Sequence, residues 1–154
     1  MRPHIFLLTA VLLLVGSLPA RSASDEDKPV SLKRPVNAPI KQSFGPVYHP
    51  VLKRTNMNLG VMFEIVGHLP VRAVTHGVVR EVNTTIDGML VIIQHPQGYE
   101  SRYGHLTDIV IAPGDSVQKG FVIGYIDAEH GESLYYEFRY RGNALDPVPF
   151  FEEE

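Results

Sequence analysis

From residue 133 to residue 139 apolar and polar side chains alternate. Leu134, Tyr136 and Phe138 fall on one face of a strand, and Ser133, Tyr135, Glu137 and Arg139 on the other. The first row is the payload of a core strand; the second lines either solvent or a site. The same texture runs upstream, where short apolar runs rich in β-branched residues are broken by turn signals every ~8–12 residues. Residues 71–75 and 78–82 flank a turn at His76-Gly77, and Asp87-Gly88 separates 78–82 from 89–94 as in a hairpin. His95-Pro96-Gln97-Gly98 turns the chain into 99–103. Pro113-Gly114-Asp115 and Lys119-Gly120 precede a strand over 121–126, and Arg141-Gly142-Asn143 ends the alternating stretch. No segment holds an apolar period of 3.6 long enough for a substantial helix, and one helical turn is expected around 51–56. The pattern predicts a single all-β domain, sandwich or barrel, without an internal repeat.

The first 22 residues stand apart. Arg2, an apolar run over 5–16 and the small-residue stretch Ser17-Leu18-Pro19-Ala20-Arg21-Ser22 read as a secretory signal peptide, too short and wrongly flanked for a membrane span. Residues 23–38, polar and punctuated by proline, are expected to be a flexible linker; 39–151 form the domain, and 152–154 an acidic, solvated tail. The chain has no cysteine, which excludes disulfides and a lipid anchor at a new N-terminus. The net charge of -3 becomes more acidic once Arg2 and Arg21 leave with the signal, which argues against a nucleic-acid or anionic-membrane binder.

Six short pieces carry a resemblance. Phe44-Gly45 with His49-Pro50, the stretch 73–79 with Ala73, Gly77 and Val79, and Tyr103-Gly104-His105-Leu106 come first. Residues 113–120 with Ile123-Gly124, the strand 133–139, and Asp146-Pro147 follow. In this order they resemble the motifs of the LytM or lysostaphin-like zinc endopeptidases, which cut peptidoglycan cross-bridges. The resemblance covers about residues 39–151. It implies an antiparallel LytM/lysostaphin-type sheet of the duplicated hybrid motif kind, a split or open barrel.

Catalysis in that family needs a zinc ion with three protein ligands and an open position for water. The resemblance places the ligands in "H-x-G-x-D" and at the second histidine of "H-L-H". Here those positions hold Asn58, Met62 and Tyr135, with Gly60 fixing the register, and Ser133 replaces the first histidine of "H-L-H". Of the family's five site residues only His105, in Tyr103-Gly104-His105-Leu106, is kept. A neutral amide, a thioether and a protonated phenol lack the imidazole and anionic donors zinc prefers. The expectation is therefore a pseudoenzyme with no catalytic residue, no metal and no cofactor.

Ser133 to Arg139, followed by Arg141-Gly142, is closer still to the degenerate LytM domains that activate peptidoglycan amidases. That likeness implies a binding groove built from Asn58, Met62, Tyr103, His105, Ser133, Tyr135, Glu137 and Arg139. It also implies a partner that is a peptidoglycan hydrolase of the amidase type, or peptidoglycan itself, and export to the periplasm for wall remodelling or cell separation. Two alternatives stay open: a module that binds peptidoglycan or an envelope complex without activating anything, and a zinc endopeptidase with a metal site elsewhere.

Overall fold

A computed structural model describes residues 30–130 and 133–153. The signal-peptide expectation, residues 23–29 of the expected linker and Glu154 lie outside the described residues. The strands are β1 (Ile40–Gln42), β2 (Gly45–His49), β3 (Arg54–Asn58), β4 (Val61–Glu64), β5 (His68–Arg72), β6 (Gly77–Thr85), β7 (Gly88–Gln94) and β8 (Tyr99–Leu106). They continue with β9 (Asp108–Ile109), β10 (Ser116–Val117), β11 (Val122–Asp127), β12 (Ser133–Tyr140) and β13 (Asn143–Leu145). Two single 3₁₀ turns, Pro96–Gly98 and Val148–Phe150, are the helical content of the described residues.

All the pairings within the sheets are antiparallel. The main sheet runs β1-β4-β12-β8-β7-β6-β10, with β13 added to β12; β5-β11-β9 form a second sheet and β2-β3 a third. The main sheet does not close into a barrel among the described residues. The alternating stretch is β12, in the middle of the sheet, with Leu134, Tyr136 and Phe138 fully buried. Cross-strand partners share a face, so Phe63 and Val61 of β4 and Tyr103 of β8 join that row. Val91 and Ile93 of β7, Val71 of β5 and Ile123 and Ile126 of β11 complete one core between the two larger sheets.

The Asp87-Gly88 hairpin forms between β6 and β7. Other expectations need correction. No hairpin forms at His76-Gly77, because β5 pairs with β11 while β6 pairs with β7 and β10. The link between them is buried at Ala73 and Val74, and Ala73 exchanges backbone bonds with Phe121 and Gly120. Residues 51–56 are not a helical turn but the tip and second strand of the β2–β3 hairpin. Residues 30–38 are not a tether. Leu32 and Val36 lie in the core, and Leu32 pairs with Phe151 through bonds to Phe150 O and from Glu152 N, both 2.8 Å. The Arg34 guanidinium sits 5.4 Å from the Phe63 ring centroid and bonds Ala38 O at 2.8 Å. An apolar residue every fourth position, Leu32 and Val36, was the signal hidden among the prolines. The acidic tail begins paired as well, with the Glu152 carboxylate on Lys119 and Ser31.

A polar seam crosses this core. His95 Nδ1 lies 2.7 Å from the His76 carbonyl oxygen and Nε2 2.7 Å from Ser101 Oγ. Ser101 Oγ is 3.0 Å from Tyr103 Oη, and Tyr103 Oη accepts the Val74 amide proton at 3.0 Å. A carbonyl only accepts, so Nδ1 carries the ring proton and Nε2 accepts from Ser101. The proton between Ser101 and Tyr103 is then the phenol's, and each hydroxyl gives one proton and receives one. Burial lifts the Tyr103 pKa to about 12, against the bonds from Ser101 and the Val74 amide, which pull it down.

Candidate functional site

The polar row of β12 lies on the outer face of the main sheet, at its centre. Tyr135 stands opposite Met62 of β4 on one side and Gly104 of β8 on the other. Ser133 stands opposite Glu64, and Glu137 opposite Arg102. Gly60 permits the close approach of the β3–β4 link to β12: a Cβ there would lie 2.2 Å from Tyr136 O.

His105 reaches this face by a break in alternation. Ser101 and Tyr103 point inward, and regular pleating would send His105 after them. Instead His105 adopts φ 68, next to a shift in the β7–β8 register, and Leu106 takes the inward place. The imidazole then lies nearly parallel to the Tyr135 ring, centroids 6.1 Å apart and planes at 26°. Its Nδ1 is 3.0 Å from Ser133 O, and since a carbonyl only accepts, Nδ1 donates.

The side chains of the row bond along the strand. Tyr135 Oη donates to Glu137 Oε1 at 2.6 Å, and Arg139 Nε donates to Glu137 Oε2 at 2.5 Å. Glu137 is almost fully covered, so its charge is held by these two partners on either side. Partial burial raises the Tyr135 pKa well above the usual phenol value, and the bond to Glu137 adds to the effect. The phenol is thus a fixed, protonated donor. Further along the same face a charge ladder continues, with Arg102 on Glu100, and Arg80 on Glu100 and Glu81.

Asn58 closes β3, and its amide nitrogen donates to Ser43 O and Gly60 O, both at 2.8 Å. That side chain pins two loops. Tyr103 does not belong to the groove: it is fully buried, packs on Tyr136 with centroids 5.3 Å apart, and spends its hydroxyl on the buried seam. Its motif neighbours His105 and Gly104 face outward, but Tyr103 shares the inward parity of Ser101. The structure therefore brings Met62, His105, Ser133, Tyr135, Glu137 and Arg139 into one strip, with Asn58 at its border. Two hollows of the surface, one of about 440 Å³ lined by Lys33, Arg34, Leu69 and Arg72 and one beside His76 and His95, contain none of these residues.

The most informative matches come from known proteins. The model of peptidase family M23 matches residues 56–147. The chain belongs to this family. A DD-carboxypeptidase/endopeptidase, Mpg, of Neisseria meningitidis is 33% identical over 113 residues, covering 71% of this chain and 26% of that protein. The murein hydrolase activator EnvC of Escherichia coli is 29% identical over 126 residues, 75% of this chain and 30% of EnvC. The chain thus spans under a third of the length of these relatives. Among solved structures, the catalytic domain of lysostaphin from Staphylococcus simulans superposes with a TM-score of 0.62 at 23% identity, covering 74% of this chain and 92% of that domain. The fold is therefore of the LytM/lysostaphin type, and M23 relatives include both endopeptidases and a hydrolase activator.

The zinc of the family can be tested against the residues present. At the three positions the resemblance assigns to ligands, Asn58 uses its amide nitrogen on two carbonyls, Met62 offers a thioether, and Tyr135 holds its proton toward Glu137. Among the described residues no three His, Asp or Glu side chains gather closely enough to hold a metal ion. These side chains do not fit a catalytic zinc site.

Proposed function

We propose that this M23 domain is a non-catalytic LytM factor, exported to the periplasm, that regulates a peptidoglycan hydrolase of the amidase type, most directly by activating it. The observation that carries the reading is Tyr135. At a position where the family has a zinc-binding histidine, the chain has a phenol, and Glu137 and Arg139 hold it in a completed hydrogen-bonded row. A completed row is a contact surface. Met62, the stacked His105 and Tyr135 rings, and the Ser133 edge offer apolar and aromatic area, and the charged end at Glu137 and Arg139 offers orientation. Such a strip suits a helix or extended segment of a partner, whose displacement from its own active site would be driven by its preference for this surface. Similarity to EnvC supports the same reading.

The test is co-purification from envelope extracts, followed by release of dye from labelled sacculi by the captured hydrolase with and without this protein. Stimulation that disappears in Tyr135→Asp and in Met62→Asp supports the reading. A protein that hydrolyses sacculi alone and carries stoichiometric zinc would establish the endopeptidase alternative instead.

A further inference from the structure

The β2–β3 hairpin is exposed on both faces, its apolar side chains included. The two strands pair with each other and with no other strand among the described residues. Register puts Pro46, Tyr48, Thr55 and Met57 on one face and Val47, His49, Arg54 and Asn56 on the other. On the first face Tyr48 is 62% and Met57 55% exposed, and at the tip Val51 is 83% and Leu52 53% exposed. From the base pair Gly45–Asn58 to the last pair His49–Arg54 is four residues, so the tip stands about 13 Å beyond the base. Ordinary sheet amphipathicity buries this face; here it is presented to the surroundings at the end of an arm.

Charge identifies the occupant. The hairpin, residues 45–58, has no acidic residue and carries Lys53 and Arg54 at its tip. The negative net charge of the whole chain conceals this segregation. Lys53 and Arg54 directly follow the apolar pair Val51-Leu52, and Tyr48 stands behind the tip. An apolar leading edge, then cations and a tyrosine, is the order of layers a bilayer interface presents: acyl chains, then anionic headgroups. A protruding tip also suits a planar, deformable surface.

We propose that the β2–β3 hairpin docks the protein on the surface of an anionic phospholipid bilayer, with Val51 and Leu52 inserted and Lys53 and Arg54 among the headgroups. This is independent of the hydrolase reading, which concerns the β12 strip. The test uses a chain starting at Ala23, which keeps every residue of the core described above. It should sediment with vesicles of mixed phosphatidylglycerol and phosphatidylcholine, less with phosphatidylcholine alone, and less at high salt. Val51→Glu with Leu52→Glu should lower partitioning roughly tenfold or more without moving the thermal melt, since both side chains are exposed.

Because the chain has no tryptophan, Leu52→Trp gives a single reporter whose emission should shift to the blue on vesicles and be quenched by brominated lipid. The proposal is overturned by absence of binding to anionic vesicles, by binding that the double substitution leaves unchanged, or by a reporter that stays in water. Loss of hydrolase stimulation in the double variant, with neither form binding vesicles, would instead make the tip a protein contact and also overturn it. Vesicle binding by a protein that captures no hydrolase would leave this proposal standing and remove the other.

Discussion

Acid should destabilise this protein through one buried imidazole. His95 is 5% exposed, with Nδ1 on the His76 carbonyl and Nε2 receiving the Ser101 hydroxyl. Burial lowers its pKa from 6.5 to about 4; the carbonyl bond and the Glu100 carboxylate oppose this, and the His76 side chain adds to it. A second ring proton would turn Ser101 toward Tyr103 and leave the Tyr103 hydroxyl proton without an acceptor. The unfolded chain takes that proton near pH 6.5, and the folded chain only near pH 4. The stabilisation is therefore complete above about pH 6.5, falls by ~1.4 kcal/mol per unit of pH, and is gone near pH 4, about 3 kcal/mol in all. Urea unfolding across this interval, compared between the wild type and His95→Gln, isolates the effect. The amide is neutral throughout and supplies one donor and one acceptor, so the variant's stability should fall less steeply by about one proton's slope. Equal slopes in the two proteins would refute the proton assignment of the seam.

Two neighbouring tyrosines should respond oppositely to loss of a hydroxyl. Tyr103→Phe strands the Val74 amide and Ser101 and should cost about 1–3 kcal/mol. Tyr136→Phe removes a buried hydroxyl with no partner among the described residues, and should be neutral or stabilising in the same urea titration. Gly60→Ala should separate the β3–β4 link from β12, since its Cβ would meet Tyr136 O at 2.2 Å; a loss of about 3 kcal/mol or failure to fold, read by circular dichroism, is expected. Asn58→His, Met62→Asp and Tyr135→His together should restore zinc binding, close to one ion per chain by elemental analysis. No retained metal in a folded triple variant would show that the assigned register of the ligand positions is wrong.

The strands were legible where burial was one-sided. Residues 133–139 alternate because β12 has a dry face and a bonded polar face, and the 87–88 turn has the residues a tight hairpin requires. Beyond that hairpin, strand partners were not legible. Residues 71–75 and 78–82 look like a hairpin in sequence, yet Ala73 and Val74 are fully buried and the chain crosses from one sheet to the other there. The strap at 30–38 was hidden for a related reason. Its polar and proline residues dominate the composition, while two apolar side chains, Leu32 and Val36, fix it to the core. Composition averages over a segment; packing is decided by single positions.

The site shows the same division at finer scale. Motif resemblance located Met62, His105, Ser133 and Tyr135, and the register of β4, β12 and β8 does bring them together. Resemblance put Tyr103 in the groove as well, whereas parity with Ser101 assigns it to the interior. His105 is the converse, since parity alone would bury it. The positive φ at His105 reverses the pleat within one residue, sending Tyr103 into the seam with His95 and His105 onto the Tyr135 ring. A left-handed backbone at a residue with a side chain costs about 1 kcal/mol or more. Here that cost lets one strand serve both faces of the sheet, the buried seam through Tyr103 and the outer strip through His105. His105→Gly would relieve the backbone and remove the ring, so its stability change measures the stacking and the Ser133 bond against the strain they hold.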